Sequence, residues 1–367
     1  MPKLDVINGL RGFAILGVVF QHVFYQAAVP GVAGFDLGAI MILPLTYVSN
    51  GWLGVNLFFI LSGFVLAYPY FLNKRQLATR SDVRTFYWHR AKRLLPLYYF
   101  SLLVCIVFLV RPESPAAFLR EALILATATF NFTNDMYFPR YNWVLWSLGL
   151  EIWFSVVFPF LLIAINRYGI YRVFVAVLAV SLATRMAGNA EMFQIGNPII
   201  NPVKDSLLGR LDEFLWGMFA CYLYVQKPEA IKRYSTALMF LGGVILVTLG
   251  CFLWDYVRLD LLSRQIVPFI NLVVDLGFAL LALSLLVMQK SPVRWLFSNY
   301  FIQLMGVMCY SLYVWHGVAV ARIITVYDAG HVLLYFVLVF LLAALSYRYI
   351  EFGHRADARR LFLLDKQ

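Results

Sequence analysis

Apolar stretches long enough to cross a bilayer recur along the whole chain, and they limit its possible folds more than any other feature. A helix needs about 20 predominantly apolar residues to cross roughly 30 Å of hydrocarbon. Of all residues, 62% are apolar and only 13% are charged, whereas soluble domains carry about 25% charged residues. The sequence therefore predicts an all-α, polytopic integral membrane protein, with a single membrane-embedded domain over residues 1–367.

The distribution of basic residues predicts how the helices are oriented. We predict ten transmembrane helices, at 9–29, 52–72, 95–111, 144–165, 171–187, 207–226, 235–254, 267–288, 301–322 and 331–349. With the N-terminus in the cytoplasm, most of the 30 Lys and Arg residues fall in or beside cytoplasmic segments, as the positive-inside rule requires. Both termini are then cytoplasmic, and the net charge of +11 reports topology rather than a nucleic-acid partner.

The segment 115–131 decides between ten spans and eleven. It is short, contains Arg120 and Glu121, and has prolines on both sides. These features predict a re-entrant or interfacial helix on the outer face. If the segment crossed instead, the count would become eleven and half of the topology would invert.

Arg11 and His22 interrupt the first apolar segment. They are eleven residues apart, which places them on one helix face with a rise of about 16 Å between them. Arg11 can reach the cytoplasmic interface with its long side chain, whereas His22 is predicted near the middle of the bilayer. Ionisable groups at that depth tend to mark functional sites. A structural histidine that hydrogen-bonds a neighbouring helix is the open alternative.

Other predicted spans carry polar residues at similar depth. They are Asn56, Ser62, Ser147, Glu151, Arg210, Asp212, Glu213, Tyr313 and His316. Any one of them could simply hold two helices together, but their number predicts a shared polar cavity. Such a cavity suits an enzyme in which a neutral histidine is the general base. It also suits a transporter that relays protons or holds an anion. No repeat relates the two halves of the sequence, which favours the enzyme.

Arg90 and Arg93 lie three residues apart at the end of the predicted cytoplasmic loop 73–94, on one face of a helix that enters the membrane. Guanidinium groups match the geometry of phosphate. A phosphate-bearing cytoplasmic donor such as coenzyme A is one interpretation, and contact with anionic lipids is the other.

Six motifs occur in the order typical of one family. They are "GLRGFAILGVVFQH", "NLFFILSGFVLAY", "HRAKRLLPLYY", "WSLGLEIWFSVVFP", "RLDEFLWGMFA" and "YSLYVWHG". The chain thus resembles, over nearly its whole length, the bacterial membrane acyltransferases of the acyltransferase-3 type. The resemblance implies transfer of an acyl group, with acetyl expected, from cytoplasmic acyl-CoA to a hydroxyl of a carbohydrate or glycoconjugate. It also implies a multi-pass protein of the bacterial inner membrane.

The resemblance carries roles to particular residues. It implies that His22 is the general base, with Arg11 and Glu151 beside it in catalysis, and that Arg90 and Arg93 bind acyl-CoA. The predicted substrate-binding residues are Ser62, Asn56, Arg210, Glu213, Tyr313 and His316. We expect no cofactor beyond acyl-CoA as co-substrate, and no metal, because the four cysteines lack metal-ligand spacing.

Two positions depart from the family pattern. Asn8 stands where members usually have Asp, and Asn56 replaces an acid. These departures leave the pair of Arg11 and His22 intact but make the acceptor site harder to define. Because the sequence ends at Gln367, we expect a stand-alone member without a fused SGNH domain.

Overall fold

The computed structural model describes residues 5–26, 35–36, 41–42, 46–109, 114–189, 201–232, 234–323 and 329–351. The α-helices in these ranges are α1 (Asp5–Gln26), α2 (Thr46–Ser49), α3 (Gly54–Phe71), α4 (Arg80–Val104), α5 (Pro115–Ala126), α6 (Leu145–Tyr168), α7 (Ile170–Gly188), α8 (Leu207–Gln226), α9 (Pro228–Lys232), α10 (Thr236–Arg258), α11 (Val267–Val287), α12 (Pro292–Ser298), α13 (Tyr300–Val307), α14 (Cys309–Ile323) and α15 (Ala329–Ser346). Short π-helical segments, Cys105–Leu109 and Tyr347–Glu351, extend α4 and α15. Two-residue strands, β1 (Phe35–Asp36) and β2 (Met41–Ile42), pair antiparallel.

Eight helical segments of the described chain are long and apolar enough to cross a membrane, and the bent pair of α13 and α14 makes up to nine. The eight are Asp5–Val23, Gly51–Phe71, Arg80–Phe108, Leu145–Tyr168, Ile170–Gly188, Thr236–Arg258, Arg264–Val287 and Ala329–Glu351. The prediction of an all-α, polytopic membrane protein is confirmed.

The predicted span 207–226, the sixth in chain order, is the helix α8. It has 20 residues, enough to cross, but it carries Arg210, Asp212 and Glu213 in its first two turns, which makes it too polar to face lipid. Instead α8 packs against α3 and α7 in the interior of the bundle. By contrast, α7, α10 and α15 leave most of their surface exposed, as lipid-facing helices do.

The structure bears on two other sequence predictions. The predicted interfacial segment 115–131 contains α5, whose 12 residues extend only about 18 Å. This is too short for the eleventh span. The predicted cytoplasmic segment 73–94 is helical from Arg80 onward, because α4 begins there. A capping box between Thr79 and Asp82 satisfies the first backbone N–H groups there.

The predicted span 301–322 is not a single straight helix, because it is broken at Met308. The helices α13 and α14 meet there at 74°. Just before the break, Gly306 packs so closely on α1 that an added Cβ would lie 1.8 Å from the carbonyl oxygen of Asn8. As a result α13 runs along α1, while α14 turns to pack on α15.

Glycines also allow the closest approach of the two central helices, α3 and α8. A Cβ at Gly63 would lie 1.9 Å from the carbonyl oxygen of Phe214, and a Cβ at Gly217 would lie 1.8 Å from that of Ile60. Small residues at such a crossing let two backbones touch, which is how helices associate within lipid.

We therefore expect Gly217→Ala to destabilise the protein by about 1–3 kcal/mol, because the added methyl group must push two backbones apart. Gly242→Ala is the matched control, since a Cβ at Gly242 meets nothing within 4 Å. The measurement is the thermal unfolding midpoint in detergent. A Gly217→Ala midpoint equal to that of Gly242→Ala would contradict the close packing.

Candidate active site

A polar cavity of about 400 Å³ lies between α1, α3, α4, α6, α13 and α14. Apolar side chains of α3 form one wall, so the polar groups are concentrated on the others. The polar lining residues are Asn8, Arg11, Ser62, Arg90, Arg93, Ser147, Glu151, Tyr310 and Tyr313. The cavity therefore collects residues from six helices that are distant in sequence and, through Tyr347, from the π-helical segment after α15.

Glu151 connects three helices at this cavity. Its Oε1 accepts a hydrogen bond from Ser62 Oγ of α3 (2.7 Å) and another from Arg90 Nη2 of α4 (3.0 Å). Arg90 Nε donates to Ser155 Oγ, one turn below Glu151 on α6 (2.9 Å). Because its guanidinium donates hydrogen bonds to two side chains of α6, Arg90 is held in one orientation toward the cavity.

Arg93 is paired differently. Its Nη1 lies 3.1 Å from Oε1 of Glu351, in the π-helical segment after α15. Ser311 Oγ of α14 donates to the other oxygen of Glu351 (3.1 Å). Glu351 is buried, whereas the side chain of Arg93 keeps 36% of its surface exposed. The guanidinium of Arg93 is therefore only partly buried where it lines the cavity.

Arg11 completes the basic lining. Within the described ranges, its side chain forms no hydrogen bond and no ion pair, although it faces the same cavity as Arg90 and Arg93. Among the residues that the structure describes at this cavity, three guanidinium groups face two carboxylates, those of Glu151 and Glu351, so positive charge is in excess there. Such an excess inside a membrane protein favours an anion as ligand.

His22 is not among the residues that line this cavity, and it contacts a second histidine. His22 Nδ1 is 3.2 Å from His316 Nε2 and 2.8 Å from the carbonyl oxygen of Val18. His316 Nδ1 is 2.6 Å from the carbonyl oxygen of Tyr313, which lines the cavity. The histidine pair is thus linked to the cavity through one turn of α14.

The carbonyl contacts fix which ring nitrogens carry hydrogen. A carbonyl oxygen only accepts hydrogen bonds, so Nδ1 of each histidine must be the donor. In the neutral rings, Nε2 then carries a lone pair. The one Nδ1–H of His22 is then shared, in a three-centre hydrogen bond, between the Val18 carbonyl oxygen and Nε2 of His316. Nε2 of His22 is left as a basic nitrogen.

In the structure α1 starts at Asp5, four residues before the predicted start of the first span. His22 lies in the last part of this helix, four residues before its end at Gln26. Its ring packs edge-on against Trp143, with centroids 4.7 Å apart, just before α6 begins. Glu151 lies six residues into α6, about 9 Å deeper. His22 and Glu151 are therefore at different depths.

The early start of α1 has a local cause. Asp5, in its first turn, lies 3.3 Å from Nη2 of Arg294 on α12 and accepts from Ser298 Oγ (3.2 Å). Gln303 Nε2 of α13 donates to the Asp5 carbonyl oxygen (2.6 Å). These contacts hold the first turn of α1 against α12 and α13, so the helix begins before the apolar stretch that the sequence shows.

A second buried network holds charges away from the cavity. Arg185 of α7 donates to both oxygens of Asp212 (2.9 and 2.7 Å) and to Glu213 (3.1 Å). Arg210 donates to Glu213 (2.7 Å) and to Asp205. These five side chains are at most 2% exposed. Because its charges pair with one another, this network holds helices together.

The structure separates the predicted substrate-binding residues into three places. Ser62 and Tyr313 line the cavity, and Tyr313 Oη is 2.7 Å from Ser147 Oγ. Asn56 does not line it, since its amide donates to Asp275 Oδ1 (3.0 Å) and its oxygen accepts from Arg210 (3.1 Å). Asn56 thus joins Arg210 and Glu213 in the closed network. The third place is beside His22, where His316 lies.

Several important residues were missed by the sequence analysis. Arg185 and Asp275 are single charges in apolar helices, and Glu351 lies just beyond the last predicted span. A search for lone charges that need an opposite partner would have found Arg185 and Asp275, but not which partner each one takes. Among the described residues, no group of three or more His, Cys, Asp or Glu side chains could hold a metal ion.

Comparison with known families agrees with this arrangement. Residues 4–348 match the acyltransferase-3 family, described as an acyltransferase domain. The match covers most of the chain, so the chain belongs to this family of membrane acyltransferases. No solved structure matches it.

Two Staphylococcus aureus proteins are among the relatives. "Putative O-acetyltransferase SAS0844" of strain MSSA476 is 26% identical over 389 residues, which covers 97% of this chain and 58% of the relative. O-acetyltransferase OatA of strain NCTC 8325 / PS 47 is 24% identical over 393 residues, which covers 99% of this chain and 58% of the relative. The chain thus spans 58% of the length of these curated relatives.

The closed network predicts a contrast between two arginines. Arg185→Met should cost about 3–5 kcal/mol, because it leaves buried carboxylates without a partner. Arg120→Met should leave stability unchanged, since the pair that Arg120 forms with Asp135 is exposed. The Arg120 hydrogen bond lowers the pKa of Asp135, but that interaction is screened by water. Unfolding midpoints in detergent measure both, and equal midpoints would overturn the assignment.

Proposed function

We propose that this chain is a membrane O-acyltransferase that moves an acyl group, acetyl in the first instance, from cytoplasmic acyl-CoA to a hydroxyl of a carbohydrate or glycoconjugate. One observation carries the proposal: α1 contributes Arg11 to the basic cavity and, three turns later, His22 with its basic Nε2. Family membership and the names of the two relatives support the reaction class. Acyl-CoA is a consumed co-substrate, so the proposal needs no resident cofactor.

The donor's phosphates would bind at Arg11, Arg90 and Arg93. Arg11 is free to bind an anion, and the other two can exchange part of their pairing with carboxylates for pairing with phosphate. Bidentate guanidinium contacts to phosphate are among the stronger hydrogen bonds in proteins. Glu151 then has two effects, since it orients Arg90 and keeps the empty cavity from holding a larger unpaired charge.

The spacing along α1 suits an extended donor. From Arg11 to His22 the helix rises about 16 Å, so one ligand can contact both only if a long arm separates its charged end from its reactive end. Acyl-CoA has this shape, because its pantetheine arm joins the phosphates to the thioester. Ser147 and Tyr313 line the cavity, and Tyr313 lies one turn before His316 on α14, so the arm would extend past these two residues toward the histidine pair.

The chemical step would use His22 as general base. Its Nε2 takes the proton of the acceptor hydroxyl as that oxygen attacks the thioester carbonyl. The new C–O bond forms, the C–S bond breaks, and the proton passes from His22 to the sulfur of the leaving CoA. Since His22 is half-buried near one end of its span, the acceptor can approach from the side opposite the donor.

The same arrangement supports a cytoplasmic location for both chain termini in a bacterial inner membrane. Arg11, near the start of α1, and Arg90, in the first half of α4, line one cavity, so these helices begin on the same side. Exposed Arg80, Arg84 and Lys92 lie on that part of α4. Basic residues concentrate on the cytoplasmic side of membrane proteins.

The first test is acyl transfer by purified protein in liposomes given acetyl-CoA and a crude cell-envelope glycan extract. His22→Ala should lower extract-dependent release of CoA thiol by about 10²- to 10⁴-fold, the usual contribution of a general base. His89→Ala is the matched control, because His89 is exposed on α4 outside the cavity. No release by folded wild type would favour a transporter, and undiminished release by His22→Ala would remove the histidine from the mechanism.

The second test addresses the donor site. Arg90→Ala and Arg93→Ala should each raise the KM for acetyl-CoA about 10- to 100-fold, because each removes charge-assisted hydrogen bonds to phosphate. Arg84→Ala, an exposed arginine on the same helix, should leave the KM unchanged. An equal rise in all three variants would reduce the effect to general surface charge, and no rise in any would place the phosphates elsewhere.

A further inference from the structure

A general base at His22 does not by itself require a second histidine, yet His316 lies in hydrogen-bonding contact with it. His316 is 0% exposed, so it cannot touch an acceptor or a donor. Its ring is fixed by the hydrogen bond from Nδ1 to the Tyr313 carbonyl oxygen (2.6 Å). The buried Nε2 therefore points a lone pair at Nδ1 of His22, 3.2 Å away.

We propose that His316 is a positioning residue for His22. Nε2 of His316 accepts a hydrogen bond from Nδ1–H of His22 and stabilises the imidazolium that His22 becomes during acyl transfer. The inference rests on the proposed function and adds to it a second histidine with a defined role. It replaces the expectation that His316 binds substrate.

The geometry makes His316 an acceptor throughout the reaction. If His316 took the proton from His22, Nδ1 of His22 would lose its hydrogen and would turn a lone pair toward the Val18 carbonyl oxygen at 2.8 Å. Two lone pairs at that distance repel each other. His22 therefore keeps its Nδ1–H, and the proton it gains at Nε2 leaves from Nε2 to the CoA sulfur.

The orientation of His22 depends on the same contacts. The Val18 carbonyl belongs to α1 itself and restrains one side of the ring, while Trp143 packs edge-on against it. His316 supplies the contact from a different helix. Asn142, in the segment before α6, donates from Nδ2 to the Val314 carbonyl oxygen of α14 (2.9 Å). This bond fixes the positions of Trp143 and His316 relative to each other on two sides of His22.

A neutral acceptor stabilises the charged form of His22 more than the neutral form, because a hydrogen bond from an ionised donor is stronger. Loss of His316 should therefore slow the step in which His22 becomes charged and leave donor binding unchanged. The loss of His316 should also slow transfer only to those nucleophiles that a base must deprotonate. Hydroxylamine carries a free lone pair at neutral pH and attacks a thioester without prior deprotonation.

The experiment uses the full chain in liposomes with acetyl-CoA, with either a saturating amount of the envelope glycan extract or hydroxylamine as acceptor. With the extract, His316→Leu should lower kcat about 100-fold at an unchanged KM for acetyl-CoA. His316→Gln, which places an amide oxygen near the position of Nε2, should recover activity to within about tenfold of wild type. With hydroxylamine, His316→Leu should form hydroxamate at the wild-type rate, after subtraction of the protein-free rate.

The outcomes separate the two proposals. If wild type releases no CoA thiol with either acceptor, the proposed function fails. If wild type is active but His316→Leu loses both reactions equally, His316 is only structural and the inference is overturned. Full activity of His316→Leu on the extract, or a His316→Gln variant no better than His316→Leu, overturns it as well.

Discussion

The free-energy cost of placing charge in an apolar interior organises this molecule. An ionised side chain away from water is tolerated only with a partner, and the helices provide partners in two ways. Arg185 and Arg210 are enclosed by carboxylates of α8 and the segment before it, at 0–2% exposure. That pairing fixes α7 and α8 against α3, and the glycine contacts between α3 and α8 complete the rigid centre.

The polar cavity is built on the same principle but left incomplete. Glu151 and Glu351 occupy part of the hydrogen-bonding capacity of Arg90 and Arg93, and Arg11 faces the cavity as additional positive charge. Partial pairing of the arginines keeps the site stable when it is empty, and the remaining positive charge still favours an anion. The closed network could not serve the purpose, because its arginines already face an excess of carboxylates. The two networks share the helix α3, which contributes Ser62 to the cavity and Asn56 to the closed network, so the rigid network positions one side of the open one.

Backbone carbonyls, rather than charges, define the histidine pair. The carbonyls of Val18 and Tyr313 decide which nitrogen of each ring carries hydrogen, and the bend of 74° between α13 and α14 brings His316 to α1. A straight helix over this region would keep Tyr313 and His316 one turn apart along its axis, but it would not turn them toward His22. The break beside Gly306 is therefore part of the site.

The sequence by itself determined the class of fold, because apolar stretches and the positions of Lys and Arg depend only on the hydrophobicity and charge of local segments. It also identified Arg11, His22, Arg90 and Glu151 as ionisable residues in unusual surroundings. Only the tertiary structure decided their partners, since the pairing of lone charges depends on which helix faces meet. Ser62 and Asn56 illustrate this: six residues apart on α3, they face different sides of the helix, one toward the cavity and the other toward the closed network.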